Sequence, residues 1–88
     1  QAGAFGAVMK RYYFDIRDGD EPAVDKEGLE LPAIGHVQAE AARALADLAT
    51  DVVQNDFRAG AARVLAIEVR DTAGPVLQAR FTIESGQT

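Results

Sequence analysis

The side chains best suited to chemistry are carboxylates crowded near the start of the chain. Seven of them fall within residues 15–30: Asp15, Asp18, Asp20, Glu21, Asp25, Glu27 and Glu30. Clustered oxygen ligands suit Ca²⁺ or Mg²⁺, but an EF-hand loop starting at Asp18 would have Pro22 at a ligand position and Ala23 where a glycine is required. We therefore interpret the stretch as solvated loop acids beside a turn, and we predict no metal site.

Groups for nucleophilic or acid–base catalysis are scarce. His36 is the one histidine, Ser85 is the one serine, and cysteine is absent. No second His or Cys can complete a metal site with His36, and the glycines form no phosphate-binding loop. We predict no catalytic residue, no cofactor and no enzyme activity. A small hydrolase or divalent-cation binder that uses the acidic stretch and His36 is the minor alternative.

The charge balance is acidic and excludes several classes of partner. Nine Lys and Arg residues face fourteen Asp and Glu residues, which gives a net charge of −5. Binding to a nucleic-acid duplex requires a basic surface that displaces counterions, so we predict no nucleic-acid partner. We also predict no membrane partner, because no apolar run approaches the roughly 20 residues that span a bilayer. An acidic chain can attract a basic protein. The absence of cysteine leaves the compartment open, but small secreted domains more often carry disulfides, so we expect a cytoplasmic protein.

In the segments that must position these residues, apolar side chains recur either at every second residue, as in strands, or at the spacing of a helix. Residues 11–17, 64–70 and 76–84 alternate apolar and polar side chains, as half-buried strands do. Turn residues at Asp18–Pro22 predict a hairpin with a short second strand at Ala23–Asp25, and residues 71–75 predict a second hairpin loop. Leu29–Leu31 is read as a brief extended piece.

A helical period runs from about Ile34 to Arg58. Its apolar stripe is centred on Leu48 and is predicted to pack on the sheet. Because Ile67 and Phe81 lie at the centres of their own apolar stripes, we expect these three side chains to be buried together.

A second flank of small residues runs beside the apolar stripe of the helix. Small side chains let another backbone approach closely, and a surface phenylalanine beside a valine needs a cover. Most soluble homo-oligomers are twofold dimers, so we predict that this flank is the interface of a homodimer. The predicted interface residues are Ala42, Ala46, Ala49, Val53 and Phe57. The alternative explanation is that the alanines simply favour helix formation.

These segments predict an α+β fold of order ββαββ, with a small four-stranded, mostly antiparallel sheet and one long helix packed on one face. In the predicted strand order 2-1-3-4, a right-handed crossover through the helix would make the first and third strands parallel. Residues 9–84 form the single domain, with Met9 as its natural start. Residues 1–8 are predicted to be a disordered extension or a cloning remnant, and residues 85–88 a frayed tail.

The chain also carries a set of short motifs. They are Tyr13-Phe14-Asp15, Asp18-Gly19, Asp25, Gly28, Ala39-Glu40-Ala41, Leu45 and Ala66-Ile67-Glu68-Val69-Arg70-Asp71, followed by the final hairpin. Over about residues 11–84 the chain resembles a family of short bacterial proteins known as a domain of unknown function. The resemblance implies no activity and no catalytic residues. Residues 32–35 depart from the pattern, because such proteins usually place a capping acid before the helix.

A more distant resemblance is to the HicB-type antitoxins, which share an aromatic-rich first strand, a glycine-containing turn and an alanine-rich helix on a small sheet. That resemblance implies an acidic inhibitor of a basic, RNA-cleaving protein. Likeness of fold does not establish function. We predict a small non-enzymatic protein-interaction or regulatory domain that forms a homodimer, with the antitoxin-like inhibitor as the alternative.

Overall fold

The chain folds into one sheet and one helix. The computed structural model describes residues 8–55 and 62–84, and the element order within them is βββαββ. The elements are β1 (Lys10–Asp18), β2 (Glu21–Ala23), β3 (Leu29–Leu31), α1 (Ile34–Asn55), β4 (Ala62–Asp71) and β5 (Gly74–Glu84). The α+β class and the mostly antiparallel sheet are confirmed. The predicted four-stranded ββαββ pattern is wrong by one strand, because the described residues contain five.

The additional strand is β3, which the sequence shows only as a brief extended piece. It pairs antiparallel with the first part of β1, with Tyr12 opposite Leu29. β2 pairs antiparallel with the last part of β1, with Ile16 opposite Ala23. The two short strands are therefore pieces of one return path along the same edge of β1, and three residues are too few for a period of two to be recognised.

β2 begins two residues before the predicted strand at Ala23–Asp25. Asp18 pairs directly with Glu21, so the turn between β1 and β2 contains only Gly19 and Asp20. Gly19 has a φ of 60°, a conformation that glycine adopts without a Cβ clash. The hairpin consequently closes more tightly than the turn composition predicts.

The strand order is β2-β1-β4-β5, with β3 pairing β1 off this path. β1 and β4 are neighbours as predicted, but they are antiparallel, with Ile16 opposite Ile67. The predicted parallel pairing is wrong because the crossover rule applies to the strand that directly precedes the helix. That strand is β3. Because β3 and β4 are both antiparallel to β1, they run parallel to each other, and α1 is the crossover that connects them over β1.

β4 and β5 form a long antiparallel hairpin with one irregularity. Val69 lies opposite Leu77 whereas Arg70 lies opposite Pro75, so Val76 is an extra residue that forms a β-bulge. Among the described residues β5 pairs with β4 alone, which leaves its other edge open.

The core lies between α1 and one face of the sheet. The helix contributes residues at a spacing of three or four, which is the stripe of an amphipathic helix. They are Val37, Ala41, Leu45, Ala49 and Val52. On β4, Leu65, Ile67 and Val69 are fully buried beneath it.

The predicted joint burial of Leu48, Ile67 and Phe81 is only partly correct. Ile67 is fully buried and Leu48 packs partly buried against the core, but Phe81 is 44% exposed. Alternation identifies the face on which a side chain lies, but it does not tell how far a helix reaches over an edge strand.

Several predicted boundaries fall at the limits of the described residues. α1 begins at Ile34 as predicted, whereas its predicted last turn, up to Arg58, lies outside the described residues. Residues 1–7 and 85–88, predicted as an extension and a tail, also lie outside them. Within the described parts of the chain, no helix combines the length and apolar character needed to cross a membrane.

Candidate functional site

The predicted interface residues are distributed along α1 beside β5. Ala42 and Ala46 are exposed, and Val53 is 54% exposed. Ala49 differs from them, because it is only 6% exposed and belongs to the core stripe. Phe57 lies outside the described residues. The structure therefore brings Ala46, Ala49 and Val53 together but leaves Ala42 one turn away.

These three residues form one wall of a groove between α1 and β5, with a volume of about 350 Å³. Its lining residues, which define the α1–β5 groove, are Ala46, Ala49, Thr50, Val53, Gln54 and Phe81. Four of the six are apolar, and the two polar ones lie on the helix. The groove exists because the small side chains of the helix flank leave space beside the phenylalanine ring.

Phe81 is the residue of this groove that the sequence prediction missed. Its alternation with Leu77, Ala79 and Ile83 predicts a core position, and it does lie on the helix side of the sheet. However, β5 is the edge strand, and the alanines of the helix flank are too short to cover the ring. The sequence does contain a feature that predicts this exposure. A large apolar residue on the last strand faces a helix flank of small residues, which cannot cover it.

The opposite face of the sheet, which we call the open face, carries a network of ion pairs. The Arg70 Nε donates a hydrogen bond of 2.8 Å to Asp15 Oδ2, and its guanidinium carbon lies 4.5 Å from the centre of the Tyr13 ring. The Arg17 Nε lies 3.8 Å from a carboxylate oxygen of Glu68. The part of the open face formed by β1 and β4 is thus a set of mutually neutralised charges beside one aromatic ring.

Asp25 fixes the loop between β2 and β3, residues 24–28, against the middle of β1. Its carboxylate accepts hydrogen bonds of 3.1 Å from the backbone N–H groups of Phe14, Glu27 and Gly28. The Asp25 N–H donates to Asp15 Oδ1 at 2.9 Å, and Arg70 Nη2 donates to the Asp25 carbonyl oxygen at 3.0 Å. Between β2 and β3, Asp25 therefore binds β1 where a continuous strand would otherwise pair with it.

The protonation of Asp25 reflects two opposing effects. Burial by itself would raise the pKa of this carboxyl, but the three backbone N–H donors and the positive charge of Arg70 lower the pKa below its ordinary value. The backbone N–H groups therefore bind Asp25 in its ionised, carboxylate form.

Gly28 closes the same loop and has no room for a side chain. Its φ is 76°, and an added Cβ would lie 2.9 Å from Arg11 Cγ, 3.0 Å from the Tyr12 carbonyl oxygen and 3.0 Å from Tyr13 Cε2. Both the conformation and the close approach require glycine.

Asp18 and Arg63 form a second fixed pair where β1 ends. Arg63 Nε and Nη2 donate to the two oxygens of Asp18 at 2.8 Å and 2.7 Å, which is the bidentate geometry. The hydrogen bonds from Arg63 lower the pKa of Asp18. The interpretation of the acidic stretch as solvated loop acids is therefore wrong for Asp15, Asp18 and Asp25, because each binds an arginine or the backbone.

The other candidate groups are placed apart from one another. His36 is exposed in the first turn of α1, and Ser85 lies outside the described residues. Across residues 8–55 and 62–84, no group of three His, Cys, Asp or Glu side chains is arranged to hold a metal ion. A depression of about 400 Å³ on the open face is lined by the already paired Asp15, Glu68 and Arg70 and, at the β-bulge of β5, by Val69, Pro75, Val76, Leu77 and Gln78. The arrangement of the open face is therefore one that positions a loop.

Comparison with known proteins yields one family. The family model described as "Domain of unknown function (DUF6894)" matches residues 11–82. Neither the comparison with curated proteins nor the comparison with solved structures gave a match.

Proposed function

We propose that this chain, which belongs to the DUF6894 family, is a cytoplasmic, non-enzymatic protein-interaction domain that works as a homodimer. The observation that carries the proposal is the α1–β5 groove, where Phe81 is 44% and Val53 54% exposed side by side. Asp15, Asp25 and Arg70 lie within the matched residues 11–82 and hold the loop between β2 and β3 in place.

The groove needs a cover because large apolar side chains there are open to water. Burying apolar surface contributes about 25 cal/mol for each Å² removed from water, so covering an aromatic ring and a neighbouring valine favours association. Contiguous exposed apolar patches on small proteins commonly mark interaction sites. The groove is therefore better suited to a protein surface than to bulk solvent.

A second copy of the chain is the occupant that the groove favours. The wall formed by Ala46 and Ala49 is low, so the helix of another molecule can approach closely, and Phe81 supplies the bulk that fills the space between. The same patch meets itself across a twofold axis, which is the commonest symmetry of soluble homo-oligomers. Thr50 and Gln54 form a polar rim on the helix.

The test is the mass of the protein in solution with a charge placed in the groove. Wild-type protein at tens of micromolar should elute in size exclusion with light scattering at twice the chain mass of 9.4 kDa. Ala46→Glu should give a folded monomer, because two like charges would face each other across the axis. Gln38→Glu adds the same charge at an exposed helix position two turns earlier and should remain dimeric. A monomeric wild-type protein would refute the homodimer.

The alternative is an antitoxin-like inhibitor of a basic RNA-cleaving protein, which the net charge of −5 supports. Three acids of the sheet, Asp15, Asp18 and Glu68, already pair with arginines of the same chain, so they are less available to a basic partner. A monomeric wild-type chain would favour this alternative. No contact among the described residues favours the hydrolase or cation-binding alternative.

A further inference from the structure

Among the described residues, the edge strand β5 pairs with β4 on one side and leaves its other edge open. We propose that the β5 strands of two copies pair antiparallel about a twofold axis at Thr82, so that two sheets become one continuous sheet. This inference rests on the homodimer proposed above and names the contacts that form it. An open edge presents unpaired backbone N–H and C=O groups, and a strand of a second molecule satisfies them.

The symmetry restricts the registers that β5 can adopt with itself. A twofold axis perpendicular to the sheet keeps every side chain on its own face, and successive residues alternate faces. A residue can therefore lie opposite only a residue of the same face, and the axis must pass through a residue. On the open face β5 carries Gln78, Arg80, Thr82 and Glu84, and on the groove face it carries Phe81 and Ile83.

The charges on the open face select one of these registers. An axis at Thr82 places Arg80 of each copy opposite Glu84 of the other, which gives two opposite-charge pairs. An axis at Phe81 places Arg80 opposite Thr82, and an axis at Arg80 brings two guanidinium groups together. Within the described part of the chain, none of the ion pairs involves Arg80 or Glu84. Opposite charges across strands stabilise a pairing, and like charges weaken it.

The groove face fits the same axis. Phe81 of each copy lies opposite Ile83 of the other, which is 8% exposed, so the ring packs against the edge of an apolar core. The two Thr82 side chains face each other on the axis. Aromatic rings beside β-branched residues, and threonine pairs, are among the favourable cross-strand pairs. The exposed residue that the sequence prediction placed in the core is thereby covered by the second copy.

The position of the helix is consistent with this pairing. α1 packs over β4 and β5, and neighbouring strands lie about 4.8 Å apart, so its axis is roughly 5 Å from the seam between two β5 strands. The helices of two copies would then be about 10 Å apart, close to the roughly 8–10 Å of packed helices. The alanine flank is what allows contact at that distance.

Charge exchange between the two positions tests the register. Arg80→Glu makes both cross-strand pairs acidic, and Glu84→Arg makes both pairs basic, so each single variant should dimerise at least about tenfold more weakly. An equal mixture of the two variants restores both pairs, because the acidic side chains of one variant then face the basic side chains of the other. The mixture should form a heterodimer with near wild-type affinity, measured by sedimentation or by light scattering, with circular dichroism to verify folding.

The results separate this inference from the proposed function. Recovery of dimers only in the mixture supports the Thr82 axis. Single variants that dimerise as wild type does, while Ala46→Glu remains a monomer, would overturn the register and leave the homodimer standing. A monomeric wild-type protein would overturn both proposals. Single variants that are monomers but do not combine would also overturn the register.

Discussion

Removing the Asp25 carboxylate should be one of the most costly changes of a single polar side chain in this protein. The Asp25→Ala variant loses the acceptor for three backbone N–H groups, those of Phe14, Glu27 and Gly28. Hydrogen bonds to charged groups contribute about 1.5–3 kcal/mol each. In the variant, the two N–H groups of the loop can bind water, whereas that of Phe14 is part-buried in the middle of β1, between β2 and β3. We therefore expect a loss of about 2–4 kcal/mol rather than the full sum.

That loss is large for a domain of this size. Globular proteins are stable by roughly 0.05–0.15 kcal/mol per residue, which gives about 4–13 kcal/mol for 88 residues. Each kcal/mol shifts the melting temperature of a small domain by about 4–8 °C, so Asp25→Ala should lower it by roughly 8–32 °C. Urea unfolding measures the free energy, and amide hydrogen exchange locates the change.

Two comparisons make this prediction specific. Asp25→Asn keeps an oxygen for Glu27 and Gly28 but turns an NH₂ group towards Phe14, so its loss should be smaller than that of alanine. Asp20→Ala removes a carboxylate of equal charge from the exposed turn between β1 and β2 and should change stability by less than about 0.5 kcal/mol. If Asp25→Ala costs less than about 1 kcal/mol, or if Phe14 exchange is unchanged, the role assigned to Asp25 is wrong.

Three more expectations concern acid, backbone conformation and metal ions. The contacts described above lower the pKa values of Asp18 and Asp25 on folding, and the hydrogen bond from Lys10, 3.1 Å away, lowers the pKa of Asp71. Stability should therefore be constant above about pH 5 and fall below about pH 4, where these groups take up protons. Thermal melts across this range that show no acid loss would contradict this expectation. Gly28→Ala should cost about 1–3 kcal/mol for its positive φ alone, whereas Gly35→Ala, in the open first turn of α1, should be neutral or stabilise by up to about 1 kcal/mol in urea titrations. Millimolar Ca²⁺ or Mg²⁺ should leave the melting temperature unchanged, because Asp15, Asp18 and Asp25 are bound to arginines and backbone groups; a ligand at 100 times its dissociation constant would add about 2.7 kcal/mol, and a corresponding rise in melting temperature would reveal a site.

The sequence predicts the long elements well because their periodicity extends over many residues. The helix start at Ile34 and the strands β1, β4 and β5 follow from that pattern. β3 was missed because three residues show no period, and its omission led to the wrong direction for β1 relative to β4. Strand direction depends on which strand precedes the helix, so one short element changes the topology.

The candidate site was less accessible from the sequence, because its contacts join residues that lie far apart along the chain. Asp25 binds the backbone of Phe14, eleven residues earlier in the chain, and no local pattern predicts that contact. The sequence did offer one hint, since Asp25 stands three residues before Gly28 and can therefore receive its N–H. Phe81 was misplaced for a different reason, because its exposure depends on the size of side chains on the helix.

The two sides of the sheet have unequal capacities to grow. On the β1 side, the edge consists of two strands of three residues each. Between them, the backbone N–H of Phe14 donates to the Asp25 carboxylate and cannot bind another strand. On the β5 side, eleven residues present a long edge. A sheet with two long edges can add molecules without end and form fibres, whereas a sheet with one long edge offers one edge to a second copy, and the Thr82 axis uses it through residues 80–84. The Asp25 loop thus prevents strand addition at the β1 edge, and assembly through β5 would stop at two chains.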